Sequence, residues 1–265
     1  MGEVARRSAR AVGFRREPFQ RAWWRARRGA RLARPHRRVH RDRILCYHSV
    51  GTPEWGLNDV SPSAFRDQLH RFLDEGHTFA PAAELAAASN GGRRLAVTFD
   101  DGVRSVVDHA EPVLAELGIP WTMFVVADWA DGQHPRGHDA VLDWDEVGAL
   151  AARGVDIGSH SLRHPDFAGL DPASVAHELR GSRARFRDRV GLDVTEFAIP
   201  FGCSRHWPAG ATAAAHDAGY TIVYAQSEDR RPAGTVGRTL ISGWDPPRVV
   251  RAALEGAYDT WEEPD

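Results

Sequence analysis

Two short stretches of the chain carry residue types that can do chemistry together. In the first, the apolar run Leu95-Ala96-Val97-Thr98-Phe99 stops on Asp100-Asp101-Gly102. The apolar, β-branched part reads as a buried strand, and Asp-Asp-Gly as the turn at its C-terminal end. Adjacent carboxylates repel, so a fold that places them at a strand end usually has a cation to bind; the plain alternative is an Asp-Gly turn with a solvated neighbour. The second stretch, Gly158-Ser159-His160-Ser161-Leu162-Arg163-His164, offers two imidazoles at i, i+4, a spacing that puts both on one side of a helical turn. One aspartate plus two histidines is a three-ligand set that leaves positions open for water and substrate, as catalytic metal sites do. A cation so held makes water a hydroxide source near neutral pH, and the aspartate left off the metal can take the proton.

These residues need elements to position them. The pattern predicts strands over 43–48, 77–79, 95–99, 120–126, 155–158, 195–200 and 220–225. Helices are expected over 63–75, 82–88, 105–117, 144–153, 171–190 and 208–218, with a last one after Pro246-Pro247. Ser61-Pro62 reads as the cap of the first helix, whose Phe65, Leu69, Phe72 and Leu73 share one face. Alternating strands and helices imply a mostly parallel α/β fold, and seven such units suggest a barrel. The candidate residues then fall at equivalent places. His48 ends the first strand, Asp100 and Asp101 the third, His160 the fifth, and Pro200-Phe201-Gly202 the sixth. In α/β barrels those ends converge on one mouth.

Composition bounds the rest. With 265 residues, 42% of them hydrophobic, the chain can bury one sizeable core. Two cysteines, Cys46 and Cys203, rule out a disulfide framework. The net charge of −2 conceals an asymmetry: residues 1–43 hold 15 Arg against Glu3, Glu17 and Asp42, and there is no Lys anywhere. The expectation is a basic, disordered extension over 1–42 and one catalytic domain over 43–265. The extension suits contact with an anionic membrane, and no specific nucleic-acid partner is expected. No apolar signal region or ~20-residue apolar run is present, so a cytoplasmic protein is expected, with membrane association through 1–42.

Thr98-Phe99-Asp100-Asp101-Gly102 and His160-Ser161-Leu162-Arg163-His164 resemble the T-F-D-D-G and H-[ST]-x-x-H motifs of the polysaccharide deacetylases with the NodB-homology domain. The Tyr47-His48 strand end, the stretch Gly154 to His160 and Phe197-Ala198-Ile199-Pro200-Phe201-Gly202 are similar to that family too, so the resemblance covers roughly 43–225. It implies a distorted (β/α)7 barrel and metal-dependent removal of N-acetyl groups from amino-sugar-containing saccharides. By the resemblance, Asp101, His160 and His164 hold a divalent metal, usually zinc, and Asp100 is the general base. Pro200-Phe201 is the place of the oxyanion donor. The late Leu-x-His motif that carries the acid in many members is missing. In this respect the chain resembles the subgroup that opens with Tyr-His and is similar to poly-N-acetylglucosamine deacetylases, which points to His48 as the acid. A second departure is Ala198, where many members carry an Arg that orients the base; what steadies Asp100 is left open.

Trp55, Trp129, Trp207 and Trp244 lie in predicted loops and suit either sugar stacking or core cover. Cys203 and His206 lie close enough to the sixth strand to line the pocket. Arg183, Arg185, Arg187 and Arg189 alternate along one helix and read as a solvated surface. Other readings of the same site are another small amide, such as a formamide or cyclic ureide, or a catalytically silent binding domain. Oligomeric state is not legible.

Overall fold

The computed structural model describes residues 16–33, 38–87 and 92–262. Its centre is a parallel sheet of β1 (Arg43–Tyr47), β5 (Arg94–Phe99), β6 (Trp121–Val125), β7 (Asp156–Ser159), β8 (Glu196–Ala198) and β9 (Ile222–Ala225), continued by β10 (Val236–Gly237) and β11 (Thr239–Leu240). The order is β10-β9-β8-β7-β6-β5-β1-β11, with short β4 (Thr78–Phe79) paired to the start of β5, while β2 (Ser49–Val50) and β3 (Asp59–Val60) pair with each other in a separate two-stranded sheet. β10 and β11 are two halves of one extended run over 236–240. The first half pairs with β9 and the second with β1, so the run joins the two ends of the sheet. The result is the expected distorted, nearly closed barrel. The sequence pattern missed its closing run, because two residues of pairing on each side leave no apolar alternation to see.

Side chains alternate along each strand. Leu45, Tyr47, Val97, Phe99, Met123, Val125, Phe197 and Val223 belong to the main core packed against the surrounding helices, whereas Ile44, Ala96, Phe124, Ala198 and Tyr224 form a separate cluster inside the barrel. That interior is filled largely by small side chains and two aromatic rings. Gly158 is required there, since a Cβ would lie 2.4 Å from Phe124.

The helices follow their sequence signals. Ser61 Oγ accepts from Ala64 N, with Pro62 in the first turn of Pro62–Asp74. Asp143 and Glu146 form a capping box on Trp144–Ala152, and Asp171 caps Pro172–Val190. Two expectations need correction. The basic extension is not disordered throughout: Arg16–Leu32 is a helix whose Trp24 and Arg28 are buried. Being i, i+4, they share a face; Trp24 Nε1 donates to Asp245 Oδ1 at 2.9 Å, and Arg28 binds the same carboxylate at 2.6 Å. Arg28 also stacks on Tyr258, so its burial is compensated. Residues 1–15 and 34–37 of that extension lie outside the described residues. Nor are the four alternating arginines a free surface. Arg183 and Arg187 both reach Asp193, and Arg185 and Arg189 both reach Asp131, because each pair is i, i+4.

Candidate active site and metal centre

The strand ladders continue one residue past the strand ends, and this sets the geometry of the rim. Asp100 N donates to Tyr47 O at 3.0 Å and His160 N to Val125 O at 2.8 Å. Since Tyr47 and Phe99 are paired in register, His48 and Asp100 sit side by side at the top of neighbouring strands.

Asp101, His160 and His164 converge. Asp101 Oδ1 lies 3.5 Å from Nε2 of both His160 and His164. That oxygen is buried and accepts no hydrogen bond. Two imidazole nitrogens and an orphaned carboxylate oxygen facing one point suit a divalent cation. His160 Nδ1 lies 2.8 Å from Ala198 O, a contact that fixes the proton on Nδ1 and leaves Nε2 to ligate. Burial pushes the His160 imidazole down to about 3 and that of His164 down to about 4, so both are neutral ligands at neutral pH. Burial raises Asp101 to about 6. With both imidazoles neutral, no internal ion pair satisfies this cluster.

The two histidines do not share a helical turn, contrary to the i, i+4 expectation. Residues 160–164 form an irregular turn with φ of 74° at Ser161 and 59° at His164. Pro165 follows His164 and disfavours the α conformation there. The turn is closed by His164 N donating to Ser161 Oγ at 2.8 Å. It is held from below by Glu178, fully buried on the Pro172–Val190 helix, which accepts from Leu162 N, Arg163 N and Arg163 Nε at 3.1, 3.0 and 2.6 Å. A Glu buried on an otherwise basic helix is the sequence signal for this residue, visible only once the turn it supports is known.

Asp100 stands on its own partner. Arg238 Nη1 donates to Asp100 Oδ1 at 2.6 Å and Nη2 to Oδ2 at 2.7 Å, a bidentate pair. Burial alone would raise the Asp100 carboxyl, but the Arg238 charge outweighs it and holds the group well below the usual carboxylate range. Arg238 lies at the junction of β10 and β11, where its backbone N–H donates to Ala225 O, and its guanidinium lies over the Phe124 and Tyr224 rings. Ala198 belongs to that same interior cluster. The arginine missing at 198 is thus supplied from 238, across the barrel. Sequence reasoning missed Arg238; its signal was a single charge inside Val236-Gly237-Arg238-Thr239-Leu240. Cys46, also fully buried, has Sγ 3.4 Å from Asp100 Oδ2.

His48 is buried beside both carboxylates, with Nδ1 lacking a hydrogen-bond partner. Cys46, His48 and Asp100 form a second close group, but both Asp100 oxygens are committed to Arg238, which argues against a second cation. Pro200 is buried and Phe201 half-exposed, with φ of 62° and its ring 4.7 Å from His164. Gly202 completes this turn at φ 70°, where a Cβ would meet Gln226 at 2.5 Å. Asp101, Ser161, His164 and Phe201 are the non-glycine residues with positive φ among the described residues, and all four lie at this rim. Backbone strain of this kind clusters at functional sites.

Of the other candidates, Trp129 stacks on His164 at 5.2 Å, while Trp207 and Trp244 are buried as core cover. His206 lies outside the candidate ligand set, its ring 5.1 Å from Phe201 and its Nδ1 2.9 Å from Asp166. Cys203 is buried.

A profile of the family described as polysaccharide deacetylase matches residues 87–223, more than half of the chain. The chain belongs to the polysaccharide deacetylase family. It is 31% identical over 94 residues to the chitooligosaccharide deacetylase of Rhizobium leguminosarum bv. trifolii, covering 35% of this chain and 39% of that protein. It is 25% identical over 164 residues to the poly-β-1,6-N-acetyl-D-glucosamine N-deacetylase of Escherichia coli (strain K12), covering 52% of this chain and 24% of that protein. The chain spans 56% and 25% of the length of two further curated relatives that it matches. Among solved structures, IcaB from Ammonifex degensii superposes with a TM-score of 0.67 at 25% identity, covering 84% of this chain and all of that one. The Streptococcus pyogenes deacetylase PplD superposes at 0.68 with 20% identity, covering 81% and 98%. No helix among the described residues is long and apolar enough to cross a membrane.

Proposed function

We propose that this member of the family is a metal-dependent hydrolase that removes N-acetyl groups from amino-sugar-containing saccharides. The observation that carries the reading is the convergence of Asp101, His160 and His164 beside an aspartate, Asp100, that Arg238 holds ionised. Asp101, His160 and His164 would hold the cation, and zinc suits a carboxylate and two neutral imidazoles. When bound, that cation supplies Lewis acidity to the acetamide carbonyl and to a water.

The chain's own groups do the rest. Asp100 takes the proton from the attacking water; an ionised, buried carboxylate fixed by two hydrogen bonds needs no reorientation to do so. The oxyanion is stabilised by the backbone N–H at Phe201, on a turn that Gly202 and Gln226 pin in place. His48 then gives its proton to the departing amine. Glu178 keeps the 160–164 turn in the shape that aims both Nε2 atoms inward.

The test is acetate release from N-acetylglucosamine monosaccharide, oligomers and nucleotide-linked forms, after stripping metal and restoring zinc or cobalt, with Asp100→Asn in parallel. Metal-dependent acetate that vanishes in the variant is the expected result. No acetate from any sugar, with stoichiometric zinc bound, overturns the amino-sugar reading and directs the assay to other small amides.

A further inference from the structure

Four of the chain's nine tryptophans, Trp23, Trp24, Trp55 and Trp244, line one groove of about 520 Å³ between the Arg16–Leu32 helix and the 53–58 turn. Trp24 and Trp244 are buried in its floor, whereas Trp23 is 46% exposed. Arg27 stacks on Trp23 at 4.4 Å, which fixes the ring's orientation. The remaining wall is mixed, with Gln20, Glu54 and Asn58 interleaved with Pro53, Gly56 and Leu57. None of these residues takes part in the chemistry at the rim.

The groove is not isolated from that rim. The Trp55 ring lies parallel to His134 at 5.9 Å, His134 meets Trp129 edge-on at 4.5 Å, and Trp129 stacks on the candidate ligand His164 at 5.2 Å. A line of rings therefore runs from the metal centre to the groove.

We infer that this groove is a distal saccharide site, which receives the part of an amino-sugar polymer lying beyond the residue being deacetylated. The inference rests on the amino-sugar reading above and deepens it: the substrate is a chain of several sugars, and the N-terminal helix is part of its binding surface. A pyranose presents a C–H face to an aromatic ring and a rim of hydroxyls and acetamides to its surroundings. Indole platforms flanked by an amide, a carboxylate and a second amide match both halves of that surface. An acyl chain would leave Gln20, Glu54 and Asn58 desolvated without partners.

The experiment is calorimetric titration of the full chain, in chelator to stop turnover, with N-acetylglucosamine dimer and hexamer in β-1,4 and β-1,6 linkage. The hexamer is expected to bind roughly tenfold tighter than the dimer. Trp23→Ala is expected to reduce hexamer affinity to that of the dimer, and Trp23→Tyr, which keeps an aromatic face, to retain most of it. Equal affinities for both lengths, or an unchanged hexamer affinity in Trp23→Ala, overturn the inference. So does a blue shift of indole fluorescence with phosphatidylglycerol vesicles but not with hexamer, which would make this face a membrane contact. Acetate release without any length preference overturns the groove alone; length-dependent binding without acetate release overturns the deacetylase reading alone.

Discussion

Arg238 and Asp100 form a two-pronged ion pair inside the barrel, with both nitrogens within 2.7 Å of the two carboxylate oxygens and both side chains almost fully buried. The pair joins residues 138 positions apart in the chain. It ties the closing run to the strand that ends on the proposed base.

Replacing Arg238 should therefore affect both stability and rate. Arg238→Ala leaves a buried carboxylate without its counter-charge, and a loss of about 3–5 kcal/mol in denaturant unfolding is expected. Arg238→Lys keeps the charge but not the fork. It should fold, and the acid limb of its kcat/KM profile should move to higher pH, because Asp100 loses part of what holds it ionised. An unmoved acid limb would separate Arg238 from the base.

His48→Gln should lower kcat on the order of 10²–10⁴-fold while leaving zinc stoichiometry intact, the range expected for loss of a proton donor. Zinc content by mass spectrometry and acetate release on the same preparation check this. Loss of zinc together with activity would place His48 in the metal set instead.

Glu178→Gln removes the charge that gathers Leu162 N, Arg163 N and the Arg163 side chain. Zinc affinity should fall roughly 10–100-fold, the usual cost of losing support behind a ligand. Competition with a fluorescent chelator measures it, and an unchanged affinity would show that the turn holds its shape unaided.

Metal removal should lower the melting temperature, and excess zinc should restore it, since a cation that binds only the folded chain stabilises it by mass action. In Asp101→Asn the restoration should be largely lost.

Without metal, stability should fall as pH drops below the unfolded-state histidine value of about 6.5. His160 and His164 have folded values near 3 and 4, so the unfolded chain binds protons that the folded one refuses. Each contributes a slope of about 1.4 kcal/mol per pH unit. Asp101 is raised to about 6 and acts in the opposite direction, gaining stability as pH falls from about 6 towards 4 and offsetting one histidine. Urea midpoints at pH 7.5 and 5.5 test the sign: the wild type should weaken on acidification, and His160→Gln should weaken less.

Much of this was readable in the chain because the information is local. An apolar run ending in Asp100-Asp101-Gly102 is a strand and its turn, and four strand ends carrying reactive residues must meet in a barrel. What was not readable depends on partners distant in sequence. Ala198 looked like a missing support, and its replacement stands 40 residues later, on a run too short to show a period. His160 and His164 have helical spacing, yet Glu178 and Pro165 shape them into a turn. Arg16–Leu32 looked disordered by composition, because only Asp245 and Tyr258 make burial of Arg28 tolerable.

The closing run over 236–240 also bears on how the molecule comes into being. During synthesis the proposed ligands Asp101, His160 and His164 and the proposed acid His48 leave the ribosome well before residue 238 does. A nascent chain can thus own every proposed metal ligand while Asp100 still lacks the charge that keeps it ionised in the dark of the barrel. On the proposed mechanism the site is armed by the same event that shuts the sheet on itself, so an incompletely made copy would be an incompetent one.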